Sequence, residues 1–77
     1  MSNQQIEFLK FIKSMLLTKS FFSVKDMLQE KNFTLKKNKR EFIEIYEIRH
    51  NTSIITYKLI RDLNNWFIMY NDEPYKI

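Results

Sequence analysis

The chain has 77 residues, 44% of them hydrophobic, and a net charge of +4, with one proline, one histidine and neither glycine nor cysteine. Phosphate-cradling loops, dinucleotide fingerprints, nucleophile elbows and EF-hands all need glycine where backbone turns sharply or meets a ligand, so all are excluded. The missing cysteine removes disulfides, thiolate metal sites and thiol nucleophiles, and His50 alone does not make a histidine-rich metal centre.

This length has room for one small domain over residues 1–77. Twelve aromatic residues, ten isoleucines and seven leucines, with no alanine, require a core built from large pieces. In chain order, the first element is a helix from Gln4 to Thr18. Ile6, Phe8, Leu9, Phe11, Ile12, Met15, Leu16 and Leu17 recur at helical spacing, opposite Glu7, Lys10, Lys13 and Ser14. A second helix follows, with Ser23 as its N-cap, Asp26 in its first turn, and Phe22 stapling onto Met27. Val24, Met27 and Leu28 form its buried side. It ends near Asn32, since asparagine tolerates the left-handed backbone that closes a helix.

From Phe33 onward Ile, Tyr, Phe, Trp and Thr dominate, residues that suit a pleated surface. Glu41 to Arg49, Ile54 to Arg61 and Trp66 to Tyr70 read as three strands joined near Asn51-Thr52 and Asn64-Asn65. Phe33 to Lys37 adds a short fourth strand turned by Asn38-Lys39, and Pro74 to Ile77 is a tail. The expected fold class is therefore α+β: two N-terminal helices packed on a C-terminal three- to four-stranded antiparallel meander. A helix over 36 to 48 is the alternative, because Glu41, Glu44 and Glu47 recur every three residues.

Charge is distributed unevenly. Residues 1 to 35 carry +2 and residues 41 to 77 carry −2, so the segment Lys36, Lys37, Asn38, Lys39, Arg40 holds as much charge as the whole chain. Such a cluster attracts phosphate or an acidic protein surface. Asn38 and Arg40 are able to read base edges, and the three lysines to neutralise phosphates. In the alternative fold, three helices precede a hairpin from 54 to 70, and the chain then resembles the winged helix-turn-helix DNA-binding proteins in element order and charge placement. That resemblance implies a third helix entering the major groove by its N-terminal end, where Lys36 to Arg40 stand. It also implies a wing tip bearing Arg61, Asn64 and Asn65.

The leading expectation is a non-enzymatic nucleic-acid-binding protein, with DNA favoured over RNA, binding through this cluster. A composition rich in Lys, Asn, Ile, Phe and Tyr suggests an AT-rich source such as a phage or mobile element. The alternative is a small protein-binding module, such as a phage-encoded inhibitor of a host or defence enzyme, with an acidic protein surface as its target. Pairing across Asn51-Thr52 places Phe42, Tyr46, Ile48, Ile55, Tyr57 and Leu59 on one sheet face. Ile43, Ile45, Ile54 and Ile60 fall on the other. Two helices cover one face only, so the second set, with Trp66, is the candidate interface for a partner or a homodimer. No cofactor, metal or catalytic residue is expected. No apolar run reaches the roughly 18 to 20 residues of a membrane span, and Gln4, Gln5 and Glu7 do not form a basic signal-peptide start, so a cytoplasmic location without membrane contact is expected.

Overall fold

The computed structural model describes residues 2–77: two helices followed by a five-stranded antiparallel sheet. The elements are α1 (Asn3–Thr18), α2 (Phe21–Glu30), β1 (Phe33–Arg40), β2 (Ile43–His50), β3 (Thr56–Asp62), β4 (Asn65–Tyr70) and β5 (Glu73–Lys76), and the strands lie in sequence order. This is the expected helix pair on a meander, with one strand more.

Helix starts are set by serines. Ser2 caps α1 in a reciprocal box with Gln5, satisfying backbone amides that the first helical turn leaves unpaired. Ser20, not Ser23, caps α2: the Ser23 amide donates to Ser20 Oγ at 3.1 Å, one turn earlier than the expected cap. Starting there brings Phe21 into the helix and against Tyr46, ring centroids 6.4 Å apart. The end of α2 is as expected, with Asn32 left-handed at φ 65°.

Between helices and sheet lies the core: Leu9, Ile12 and Met15 from α1, Val24 and Leu28 from α2, and Leu35, Tyr46, Ile48, Leu59, Trp66 and Ile68 from the strands. Strand alternation sends these six inward and their sequence neighbours outward. Leu9, Ile12, Val24, Ile48 and Leu59 are fully buried, as close packing of large side chains requires when no alanine fills gaps.

Residues 36 to 50 are strand, turn and strand. The third helix on which the winged-helix resemblance depends is therefore absent; the described residues contain two helices. With it goes the winged-helix, DNA-binding phage-protein reading built on that helix, since Lys36 to Arg40 lie in strand β1 and not at a helix N-terminus. The sheet prevails because β2 is laddered on both sides, to β1 and to β3, burying Tyr46 and Ile48 as a lone helix face would not. The first hairpin turns at Glu41-Phe42, three residues beyond the expected Asn38-Lys39. A turn at Asn38-Lys39 would set Phe33 opposite Glu44. The observed register instead sets Leu35 opposite Ile48 and Phe33 opposite His50, whose rings meet edge to face at 4.9 Å.

The C-terminal segment expected as a tail is strand β5, reached by a tight turn in which Asn71 and Asp72 both have positive φ. Its proline lies on the outermost strand, where a missing backbone donor costs no ladder bond. No helix among the described residues is long and apolar enough to cross a membrane.

Candidate functional site

The pleat divides the basic cluster. In β1, Lys36, Asn38 and Arg40 stand on the face away from the helices, whereas Lys37 and Lys39 stand on the helix side. The run that reads as one patch along the chain is thus two sets of cations separated by the sheet.

On the helix side, Lys37 enters a closed polar group. Its ammonium lies 2.8 Å from Glu44, 5.8 Å from the Phe21 ring centroid and 5.8 Å from that of Tyr46. Glu44 also accepts the Tyr46 hydroxyl at 2.9 Å and lies 3.8 Å from the Arg61 guanidinium. The Lys37 hydrogen bond holds the Glu44 carboxyl below its usual range, against the opposing effect of burial, helped by Tyr46 and by the charges of Lys37 and Arg61. Burial, then the Glu44 hydrogen bond, pushes the Tyr46 hydroxyl up to about 12. Arg61 lies 5.4 Å from the Trp66 ring and donates from Nε to the Leu63 carbonyl at 3.0 Å. Beyond this group, Lys39, Arg61 and Asn64 border a hollow of about 480 Å³ between the Glu41-Phe42 and Leu63-Asn64 turns.

Among the described residues, no helix lies on the opposite face. Cross-strand register aligns Asn38, Ile45, Ile60, Phe67 and Lys76 in one row across all five strands. Arg40, Ile43, Asp62 and Asn65 form the next row on one side, and Lys36, Glu47 and Lys58 the row on the other. Ile45, Ile60, Phe67 and Met69 are half-buried by one another's flanks alone, and Ile43 is 38% exposed. The result is an aliphatic strip with Phe67 and Met69 at one end, rimmed by Lys36, Arg40, Arg49, Lys58 and Lys76 against Glu47 and Asp62. Among the described residues, none of these charges enters an ion pair within 4.0 Å; the three pairs formed lie elsewhere.

Of the candidate interface residues, the sheet places Ile43, Ile45 and Ile60 together on this face. Ile54 is not with them: it lies in the loop before β3, 98% exposed. Trp66 is not available to a partner, being 2% exposed and stacked on Tyr46 at 5.9 Å. Of the nucleic-acid candidates, Lys36, Asn38, Arg40 and Asn65 share the open face, whereas Lys37, Lys39 and Arg61 do not. Phe67 and Met69 were missed, although strand alternation from Trp66 already placed Phe67 on the far side from Trp66 and Ile68.

Both sheet edges are guarded. β1 carries the lysine-rich run over Lys36 to Arg40, and β5 is four exposed residues with Pro74. Charged and proline-bearing edges discourage strand addition. Among the described residues no three His, Asp or Glu side chains come together as a metal-holding group. Comparison with protein-family models, curated proteins and solved structures finds no match for this chain.

Proposed function

We propose that this is a non-catalytic protein-interaction module that binds an acidic-rimmed apolar surface through the open face of its sheet. The observation that carries the reading is the row Ile45, Ile60, Phe67, which among the described residues is covered by no helix and bordered by cations that enter no ion pair. Contiguous apolar surface with a polar rim is what soluble domains keep for partners. The guarded edges direct that partner to the face.

Charge argues for an unlike partner. Two copies face to face would set five cations against five with only Glu47 and Asp62 on each side to offset them, while an acidic rim would complement the excess. Side-chain chemistry favours protein over single-stranded nucleic acid. Base stacking needs ring faces, and Phe67 is the one ring in a strip of isoleucines and methionine.

The test is a photocrosslinker at position 67, applied in nuclease-treated extract, followed by purification of the captured protein. The expected result is one stoichiometric partner whose binding weakens with salt and with Lys58→Glu, and is lost with Ile60→Asp while far-UV dichroism stays native. Three results would overturn the reading: capture of nucleic acid before nuclease treatment that Ile60→Asp abolishes, a concentration-dependent homodimer at this face, or no saturable partner.

A further inference from the structure

On the helix side of the sheet, the two helices leave β5 uncovered. Between the first half of α1 and the β4–β5 hairpin lies a hollow of about 450 Å³, within the range of small-ligand sites. Ile6 forms one wall and the buried Ile68 the floor. The rings of Tyr70 and Tyr75, 6.3 Å apart and tilted by 55°, form the other wall. Ile77 closes one end and is held in place twice, its amide donating to the Trp66 carbonyl at 2.9 Å and its carbonyl accepting from Lys13 Nζ at 3.2 Å. These two contacts fix the end of the hollow that Ile77 closes.

The charged side chains that line it are Lys10 and Lys76; Glu73 stands beside it, accepting the Tyr75 hydroxyl at 3.4 Å, and the Ile77 carbonyl is already taken by Lys13. By register Lys76 belongs to the open face and reaches the hollow only at the β5 edge, so Lys10, one helical turn after Ile6, is the principal cation. The acid nearest to Lys10, Glu7, lies 3.9 Å away with both side chains largely exposed, a pair weak enough to yield to a ligand. We infer that the hollow binds a small amphiphilic anion, a single-chain carboxylate of medium length. Its chain lies against Ile6, Ile68 and the two tyrosine rings, and its carboxylate meets the Lys10 ammonium. Lysine offers one point charge, which matches a ligand with a single charged headgroup. The site lies on the opposite side of the sheet from the partner-binding face and does not depend on that reading.

The experiment is a ¹⁵N–¹H NMR titration of the full chain with decanoate, decanol and decyltrimethylammonium, each below its micelle concentration. Decanoate should produce saturable shifts at Ile6, Lys10, Ile68, Tyr75 and Ile77, decanol weaker ones, and the cationic amphiphile none. Lys10→Glu should weaken decanoate about fivefold, while Lys25→Glu on α2 leaves it unchanged. Tyr75→Ala, checked for native dichroism, removes one wall and should weaken decanoate and decanol together. The inference is overturned by equal binding of all three amphiphiles, by shifts centred on Ile45, Ile60 and Phe67, or by no saturable response to decanoate at millimolar concentration.

Discussion

The two faces of the sheet draw their residues from the same strands and treat them in opposite ways. On the covered face Lys37, Glu44, Tyr46 and Arg61 satisfy one another, and the cations lie against the rings of Phe21, Tyr46 and Trp66. On the open face Lys36, Arg40, Arg49 and Lys58 surround isoleucines with no acid within pairing distance among the described residues. Neighbours in sequence thus receive different tasks: Lys37 ties α2 to the sheet, and Lys36 is left to meet solvent or a partner. Chemical type does not decide which; position in the pleat does.

The largest test of this contrast uses adjacent residues of β3. Leu59 is fully buried, and Leu59→Ala should cost about 2–5 kcal/mol in urea unfolding. Ile60 lies between Ile45 and Phe67 on the open face, and Ile60→Ala should cost about 1 kcal/mol, the scale of a cross-strand pair. Equal costs would mean that the open face is core, and the contrast would fail.

A smaller effect probes the covered face by pH. Because the folded Glu44 carboxyl lies below its usual range, its ionised form contributes stability above the unfolded-state value, and that contribution is lost as pH falls through the folded value. Glu44→Gln should cost about 1 kcal/mol near neutrality and flatten the acid limb of the stability profile. The Tyr46 hydroxyl works in the other direction. Raised to about 12, it adds stability that is complete below the ordinary tyrosine value of 10.0 and disappears as pH rises through about 12. Tyr46→Phe should remove a tyrosinate absorbance step near that pH; an unchanged alkaline titration would dissociate Tyr46 from this group.

Much of the fold was legible because its signals are periodic and local. The α1 stripe, the stop at Asn32 and the strand chemistry after Phe33 each follow from a few neighbouring residues. The turns were legible only in part: the connections near Asn51-Thr52 and Asn64-Asn65 fall where expected to within a residue, whereas Asn38-Lys39 lies inside a strand. In a chain without glycine, asparagine is the natural replacement, and Asn32 and Asn71 do adopt positive φ. Glu41, Leu63 and Asp72 do so as well, whereas Asn38 and Asn65 lie within strands. Turn position answered to the inward register of Leu35, Tyr46, Ile48 and Leu59, a long-range condition that outweighs one residue's preference. For the same reason Ile43, Ile45 and Ile60 could be grouped from the strand pattern. Trp66 and Phe67 required the register of the next hairpin, so the ring assigned to the partner was the buried one.

Leu63 provides the smallest test, at the turn that follows Arg61 and Asp62 and joins β3 to β4. Its φ is 56° and its side chain is 66% exposed, so a branched residue holds a left-handed conformation without burial to offset the cost. For an L-residue with a Cβ that conformation costs about 1–2 kcal/mol. Glycine removes the steric cost but adds about 0.5–1 kcal/mol of unfolded-state entropy. Leu63→Gly should therefore raise stability by about 0.5 kcal/mol, or roughly 2–4 °C in Tm for a domain this size. The Arg61 Nε hydrogen bond to the residue 63 carbonyl is a backbone contact and survives the change. If the variant is more stable and still captures the partner, Leu63 is only a turn residue working without glycine. If it is more stable but binds less, the exposed leucine extends the docking surface past the sheet to its turn, and the strain is maintained for that contact.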